Sequence, residues 1–270
     1  MNRAATLEQL TRLCNLNREG VAPPSIEATG FSALDAALPH RGWPSGTVVE
    51  LMPTDTGIGE LRLLMPALAR MTQSERHVAL IAPPYIPFAP ALIQQGVQVK
   101  RLLIIQSQKN EDTLWALEQV LRCTSFGAAL AWPASIKDKE VRRLQLAAEA
   151  GRSIGFIYRS PHAAREASPA AIRLRLQAKS SGLLIDILKC RGGRGGFSVA
   201  VDTRTPVSTV QADALAETSI TDQAFLNEAT AVSTQKNRLN RLLESAGDNS
   251  VETIGTDAPE RIASGVLARH

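Results

Sequence analysis

The sequence has few aromatic side chains and no long apolar run. Aromatic residues make up 4% of its 270 positions, so a core must be built from Leu, Ile, Val and Ala. No apolar run approaches the roughly 18 residues that span a membrane. The first residues, MNRAATLEQLTRLC, lack the apolar stretch of a signal peptide. Apolar content of 44% with 21% charged residues is typical of a globular protein, and these absences predict a cytoplasmic one.

Residues that hold metals or act as nucleophiles are also scarce. The three cysteines are far apart and form no CxxC pair, so we expect buried or incidental thiols in a reducing compartment, not disulfides or metal ligands. The four histidines show no metal-ligand spacing, and the serine-nucleophile motif G-x-S-x-G does not occur. These residues are Cys14, Cys123, Cys190, His40, His77, His162 and His270. We therefore expect no metal and no catalytic residues.

Positive charge is concentrated in the middle of the chain. Residues 1–140 are neutral overall, whereas residues 141–204 carry 12 basic and 4 acidic side chains, a net charge of +8. Residues 205–270 carry 5 basic and 9 acidic side chains, a net charge of −4. Most of the bases in the middle block are arginines, whose planar guanidinium suits forked contacts with phosphate or carboxylate. An anionic partner is expected to bind this block.

The segment TVVELMPTDTGIGELRLL (residues 47–64) has the order of elements of a phosphate-binding loop. It predicts a strand over residues 47–52, a tight turn over residues 53–59 and a helix over about residues 60–73. A glycine turn that leads into a helix N-terminus presents backbone N–H groups to a phosphate. The segment therefore indicates the frame of a nucleotide-binding site.

The motif within this frame is degenerate. Its full pattern is G-x-x-x-x-G-K-[ST]; with Gly57 on the second glycine, Ile58 replaces the lysine and Gly59 replaces the hydroxyl that ligates Mg²⁺. Asp55 and Glu60 would repel a triphosphate. We expect a loop that binds no cofactor and only joins strand to helix, with weak nucleotide binding to its amides as the alternative. The degenerate phosphate loop comprises Pro53, Asp55, Gly57, Ile58 and Gly59.

The rest of the chain first alternates strands and helices and then changes pattern. Apolar strands separated by helices of about 10–15 residues predict an α/β fold with a mostly parallel sheet flanked by helices. The strands are predicted at 77–82, 101–105, 127–132 and 154–158, and the helices at 87–95, 110–123 and 137–152. Three further segments, 171–178, 183–190 and 196–201, predict an antiparallel β-meander.

Both ends of the chain are predicted to be appendages. Residues 1–19 have the spacing of an amphipathic helix, with Leu7, Leu10 and Cys14 on one stripe. This helix is expected to dock either on a neighbouring subunit or on its own domain. The predicted domains are an N-terminal helix and linker (1–28), a central domain (29–203), and a largely disordered tail (204–270) with one helix near 221–245.

Two segments carry a resemblance to a known family. The run TGFSALDAALPHRGWPSGTVVEL (residues 29–51) resembles the sequence before the phosphate loop of RecA-type recombinases. The run GRSIGFIYRSP (residues 151–161) resembles both ImuA and SulA. Over about residues 28–203 the chain is similar to the ImuA family of RecA-like accessory proteins in bacterial mutagenic translesion synthesis, which is related to the cell-division inhibitor SulA. The resemblance implies a RecA-like core.

The resemblance also implies that the ATPase groups are gone. Phosphoryl transfer uses the lysine, the metal and a water-positioning carboxylate together. The place of the recombinase glutamate is taken by Pro83 or Pro84, and the place of the aspartate on the Mg²⁺ side is taken by Trp132 and Pro133. We expect that the protein is not an enzyme.

The partners implied by the ImuA resemblance belong to the SOS response. They are ImuB, the error-prone DNA polymerase III α-type subunit and RecA, with single-stranded DNA as a further ligand. A SulA-type inhibitor that binds FtsZ is the alternative, although the meander and the segment 205–270 favour an ImuA-type adaptor. A genuine ATP-dependent recombinase is disfavoured by Ile58, Gly59 and Trp132.

The basic meander is the candidate contact surface. Its turn RGGRGG (residues 191–196) combines arginine charge with glycines that permit close backbone approach. A DNA surface, a docking surface for an acidic protein and a simple solvated turn all remain open. The candidate contact residues are Arg173, Arg175, Arg191, Gly192, Gly193 and Arg194.

Overall fold

Short apolar strands and amphipathic helices alternate along the chain and assemble around an eight-stranded sheet. The computed structural model describes residues 3–16 and 26–204. Its helices are α1 (Arg3–Leu16), α2 (Ser32–Ala37), α3 (Met65–Gln73), α4 (Ala89–Gln94), α5 (Asn110–Arg122) and α6 (Asp138–Gly151), with 3₁₀ turns at Val99–Arg101 and Pro161–Arg165. Its strands are β1 (Ile26–Glu27), β2 (Trp43–Pro44), β3 (Thr47–Pro53), β4 (His77–Ile81), β5 (Leu102–Ile105), β6 (Phe126–Ala131), β7 (Ile154–Tyr158), β8 (Ile172–Lys179), β9 (Gly182–Cys190) and β10 (Phe197–Val201).

The sheet confirms the predicted α/β fold with a mostly parallel sheet. The strand order is β10-β9-β8-β3-β7-β6-β4-β5. The six strands from β8 to β5 in this order are parallel to one another, whereas β9 pairs antiparallel with both β8 and β10. Strands β8, β9 and β10 are the predicted meander, and they extend one side of the parallel sheet.

The central strand β3 explains why apolar residues dominate the strands. Val49 and Leu51 pack in a core with side chains of α2 and α3, and Val48 packs on the opposite face with α5 and α6. Because helices cover both faces, a central strand has no solvent side on which to place polar residues. Glu50 is the exception within β3, and it is fully buried.

Helix α3 begins later than the sequence predicted. The helix was expected from about residue 60, but residues 60–64 form turns and α3 starts at Met65. Pro66 accounts for the difference. It fits the first turn of a helix, whereas in the interior of a helix that began at residue 60 it would lack an N–H donor and would clash with the preceding turn.

Helix α1 packs on its own domain. Leu10 is buried in the core beside α5, and the Ser125 hydroxyl donates a hydrogen bond to the carbonyl of Leu13 at 3.1 Å. The Arg3 guanidinium forms an ion pair with Asp112 at 2.6 Å between Nε and Oδ1. Of the two predicted docking modes for the N-terminal helix, the structure shows the intramolecular one.

Two of the three cysteines form a disulfide, so the prediction of three thiols was wrong. Cys14 and Cys123 are joined, with 5.7 Å between their Cα atoms, while Cys190 is a buried free thiol. The docking of α1 against the end of α5 brings the two residues together across 109 positions of sequence. Sequence spacing alone does not indicate such a pair.

The structure describes the two predicted terminal segments only in part. Ile26 and Glu27, which the sequence placed in the N-terminal helix and linker (1–28), form β1 and pair antiparallel with β2. Residues 17–25 and the predicted tail 205–270, with its helix near 221–245, lie outside the described residues. None of the described helices has the length and apolar character to span a bilayer.

Candidate functional site

The degenerate phosphate loop lacks the geometry of a phosphate site as well as its side chains. Gly57 and Gly59 both have positive φ, +79° and +96°, which permits the tight turn after β3. The N–H of Gly57 donates to the carboxylate of Glu60 at 3.2 Å. Ile58, at the position of the lysine, packs against the core. Helix α3 starts only at Met65, so residues 60–64, which form turns, separate Gly59 from the first residue of the helix.

An aromatic stack occupies the carboxyl edge of the sheet beside this loop. Trp132, directly after β6, lies flat on Tyr158 at the end of β7, with ring centroids 4.5 Å apart and an interplanar angle of 3°. Burial, and then the charge of Glu60, raise the pKa of the Tyr158 phenol. Among the described residues, neither the Tyr158 hydroxyl nor Glu60 Oε2 has a hydrogen-bond partner. Trp132 stands where the resemblance placed the metal-binding aspartate, and its partly buried side chain packs against the core.

The loop after β4 exposes large apolar side chains. In the sequence PPYIPF (residues 83–88), Tyr85, Ile86 and Phe88 are 75%, 69% and 72% exposed. Prolines restrict the backbone of the loop, so these side chains are presented without a large loss of backbone freedom on binding. The sequence interpretation treated Pro83 and Pro84 only as replacements for a glutamate and did not identify this apolar surface.

Arg173 is not part of an exposed contact surface, which corrects its assignment as a DNA- or partner-binding residue. Its side chain is only 6% exposed, and its Nε donates to Glu50 at 2.7 Å. Its other nitrogens donate to the backbone carbonyls of Glu166 and Ala163. The alternating pattern of β8 correctly put Arg173 opposite the apolar face, but the segment after β7 covers that opposite face.

A buried ionic network surrounds Glu50. Besides Arg173, the Glu50 carboxylate accepts hydrogen bonds from Arg159 at 3.0 Å and from the Ser168 hydroxyl at 2.7 Å. The network fastens the segment between β7 and β8 onto the sheet. The signal in the sequence was a lone acidic residue inside the apolar strand TVVELMP, because a fully buried carboxylate requires charged or hydrogen-bonding partners.

Arg175 is half exposed, but a carboxylate neutralises it. Its guanidinium pairs with Asp186 on β9 at 2.7 Å, and Gln177 and Ser198 donate to the same carboxylate. Burial by itself would raise the pKa of Asp186, but the hydrogen bonds from Ser198, Arg175 and Gln177 outweigh it and hold the pKa below its usual value. Arg175 therefore remains a predicted contact residue with reduced charge to offer.

The remaining candidate residues form the exposed turn between β9 and β10. Arg191, Gly192, Gly193 and Arg194 are all exposed. The turn lies against the connection from α2 to β2: a Cβ on Gly193 would come within 3.1 Å of Pro39. An open groove of about 800 Å³ runs between the two, lined by residues 36–39, Arg41 and residues 193–197.

Metal binding has no donor cluster in the part of the chain that the structure describes. Within residues 3–16 and 26–204, no three His, Cys, Asp or Glu side chains are grouped so that they could hold an ion. The aromatic stack, the apolar loop and the arginine-flanked groove are the features from which a function can be argued.

Comparisons with known proteins identify two kinds of relative. Residues 46–155 match the family model described as cell division inhibitor SulA. A cell division inhibitor SulA from Pectobacterium atrosepticum is 26% identical over 153 residues, which cover 56% of this chain and 91% of that protein. Protein ImuA from Caulobacter vibrioides is 25% identical over 200 residues, which cover 64% of this chain and 82% of that protein.

Among solved structures, the crystal structure of SulA from Pseudomonas aeruginosa matches with 24% identity and a TM-score of 0.36, over 42% of this chain and 97% of that one. The family match extends from the residue before β3 into β7 and does not include the meander. The chain is therefore similar to SulA over residues 46–155 and, over a longer stretch, similar to ImuA.

Proposed function

We propose that this protein is a non-catalytic, RecA-like adaptor of SOS-induced mutagenic translesion DNA synthesis and repair, which acts in the cytoplasm by binding other macromolecules. The observation that carries the proposal is that apolar side chains stand where an ATP-binding loop has its phosphate- and metal-binding groups. Ile58 packs against the core where a lysine would reach the phosphates, and Trp132 is stacked on Tyr158 where a metal ligand would be expected. Phosphoryl transfer depends on these groups acting together, so we expect no ATP hydrolysis.

The match to ImuA supports the adaptor function. It covers 64% of this chain, compared with 56% for the SulA relative from Pectobacterium. The meander β8–β10 lies beyond residue 155, where the SulA family match ends. By similarity to ImuA, the partners are an ImuB-type protein, an error-prone DNA polymerase III α-type subunit and RecA.

We assign the contact with the ImuB-type partner to the loop at residues 83–88. Exposed Tyr85 and Phe88 have the composition of interface hot spots, which are rich in aromatic side chains that become desolvated on binding. The loop follows a buried strand of the sheet, so it projects from a rigid base. A protein partner would bury these side chains and remove their apolar surface from water.

A SulA-type inhibitor that binds FtsZ is the second candidate function. The family match at residues 46–155 favours it, because this is the model of the cell division inhibitor SulA itself. The relative from Pectobacterium supports it further, since 91% of that protein aligns with this chain. The two functions predict different partners for the same core.

Binding to purified partners separates the two functions. Immobilised full-length protein is tested against purified ImuB, the polymerase subunit, RecA and FtsZ, with the double variant Tyr85→Ser/Phe88→Ser and the control Leu146→Ser. Leu146 is 63% exposed on α6, so the control removes a comparable apolar side chain elsewhere. The adaptor proposal expects ImuB to bind the wild type and the control but not the loop variant. Capture of FtsZ without ImuB would establish the alternative, and failure to bind any of the four would reject both.

A further inference from the structure

The groove between the α2–β2 connection and the β9–β10 turn has an arginine on each side. Arg41 lies on one wall and Arg194 on the other, and Arg191 is exposed beside them. Within the described residues none of these three guanidinium groups has an ion-pair partner, and none of the residues that line the groove is acidic. The groove is therefore a concave site with uncompensated positive charge, which fits an anionic ligand.

The floor of the groove offers an aromatic face. Phe197, the first residue of β10, lines the groove and is 38% exposed. Side chains two apart on a strand share a face, and Val201, on the same face as Phe197, is buried in the core that α2 covers. The ring of Phe197 thus continues the apolar face of the sheet to its open end, where a planar group could stack on it.

Small residues shape the rest of the site. The wall formed by the RGGRGG turn consists largely of glycine, and Gly192 and Gly196 have positive φ, +78° and +83°, which disfavours larger side chains there. The opposite wall consists of Ala36, Ala37, Leu38 and Pro39. Neither wall presents a side-chain amide or hydroxyl, so the site has charge and an apolar surface but few groups that would read a specific base edge.

We propose that this groove binds single-stranded nucleic acid, with Arg41 and Arg194 contacting phosphates and Phe197 stacking on one base. Arginine charge along a groove combined with an aromatic platform is the arrangement by which proteins bind single strands without strong sequence preference. An acidic peptide would satisfy the two arginines but would not require an aromatic ring. The inference rests on the proposed function, because it names the ligand of the basic meander in an adaptor for DNA synthesis. Among the candidate contact residues, Arg41 takes the place of the buried Arg173.

The binding of a fluorescein-labelled oligo(dT) strand to the full chain tests the groove by fluorescence anisotropy over a range of salt concentrations. The double variant Arg41→Gln/Arg194→Gln is expected to bind oligo(dT) roughly tenfold or more weakly at low salt. The slope of log K against log [salt] should become shallower by about 1.4, because each of the two lost phosphate contacts on a single strand contributes about 0.7. Phe197→Leu is expected to weaken binding roughly tenfold with an unchanged slope, because it removes stacking and no charge.

The control removes the same charge elsewhere. Arg142 and Arg165 are exposed arginines outside the groove, and Arg142→Gln with Arg165→Gln is expected to change affinity less than about twofold. Thermal melts of all variants verify folding. Groove variants that behave like this control would overturn the proposal. Equal binding of polyglutamate and oligo(dT), both insensitive to Phe197→Leu, would also overturn it, because the groove would then bind any polyanion through charge alone.

The outcome for the groove is separable from the outcome for the adaptor. Arg41→Gln with Arg194→Gln is expected to leave the capture of ImuB unchanged, because the loop at residues 83–88 is a different surface. Loss of oligo(dT) binding with retained ImuB capture supports both proposals. Retained ImuB capture by a wild-type protein that does not bind oligo(dT) would refute the groove and leave the adaptor function standing.

Discussion

The carboxylate of Glu50 provides the sharpest test of how the central sheet is stabilised. Glu50 is fully buried and is the shared acceptor for Arg159, Ser168 and Arg173. In the variant Glu50→Leu, the Arg173 side chain would be left inside the protein without a counter-charge. Breaking a buried ion pair from one side costs about 3–5 kcal/mol. For a domain of this size, that corresponds to a fall in Tm of roughly 6–20 °C.

A double-mutant cycle separates the loss of the pair from the loss of packing. Arg173→Met alone leaves Glu50 with Arg159 and Ser168, so we expect it to destabilise the protein less than Glu50→Leu. In the double variant Glu50→Leu/Arg173→Met, two apolar side chains face each other and neither position holds a buried charge without a counter-charge. The double variant is therefore expected to be more stable than the sum of the single effects indicates, by about 1–3 kcal/mol.

Urea unfolding followed by circular dichroism measures these differences. The matched control is Glu75→Gln, since the Glu75 side chain is 76% exposed and lies 3.4 Å from Arg101. Exposed pairs contribute little, so the control should change the free energy of unfolding by less than about 1 kcal/mol. If Glu50→Leu were no more destabilising than this control, or if the two buried substitutions were additive, the network would not hold the sheet as described.

Three further perturbations test other parts of the structure. Burial, and then the charge of Arg101, lower the pKa of His77. Because the unfolded chain binds this proton more readily than the folded protein, the contribution of His77 to stability is complete above pH about 6.5 and is lost as the pH falls through the folded pKa. In the variant His77→Phe, the urea midpoint should therefore depend less on pH in this range. Cys14→Ser should lower the stability of the oxidised protein by about 2–4 kcal/mol, measured by urea unfolding without reductant. Ile58→Lys with Gly59→Ser should not create Mg²⁺–ATP binding in calorimetry, because α3 begins beyond the loop.

For each of these three perturbations, one outcome would contradict the predicted effect. His77→Phe with an unchanged pH profile would show that another group titrates. Thiol titration of the denatured, unreduced protein should find one thiol in the wild type and three after reduction, and three before reduction would remove the disulfide. Micromolar ATP affinity of the Ile58→Lys/Gly59→Ser variant, against none for Ile58→Met/Gly59→Ser, would show that the loop geometry is intact.

The order of elements followed from local patterns in the sequence. Strand β7 occupies the predicted residues 154–158, and α5 and α6 end within a residue of their predicted bounds. These elements are long or strongly apolar, so their periodicity is unambiguous. The start of α3 was missed because the phosphate-loop pattern outweighed Pro66, a local signal that was present in the sequence.

The tertiary partners could not be predicted in the same way. Glu50 is separated by 109, 118 and 123 residues from Arg159, Ser168 and Arg173. Nothing in a single sequence states which distant arginine will meet a buried carboxylate. The same limit applies to the groove, because Arg41 reaches the RGGRGG turn only through the position of α2 beside β10. The alternation of residue types in β8 indicated that Arg173 faces away from the apolar side of the strand. Its burial results from the segment between β7 and β8, which covers that face.

The degenerate phosphate loop differs from an ATP-binding loop in three separate respects. Ile58 and Gly59 stand at the positions of the lysine and the hydroxyl, α3 begins only at Met65, and Ile58 packs against the core. A substitution that restored only the lysine would remove an apolar side chain from the core and would still lack the helix amides that stabilise a phosphate. Because the partly buried Ile58 side chain packs against the core, we expect Ile58→Lys alone to lower the free energy of unfolding without creating a phosphate site.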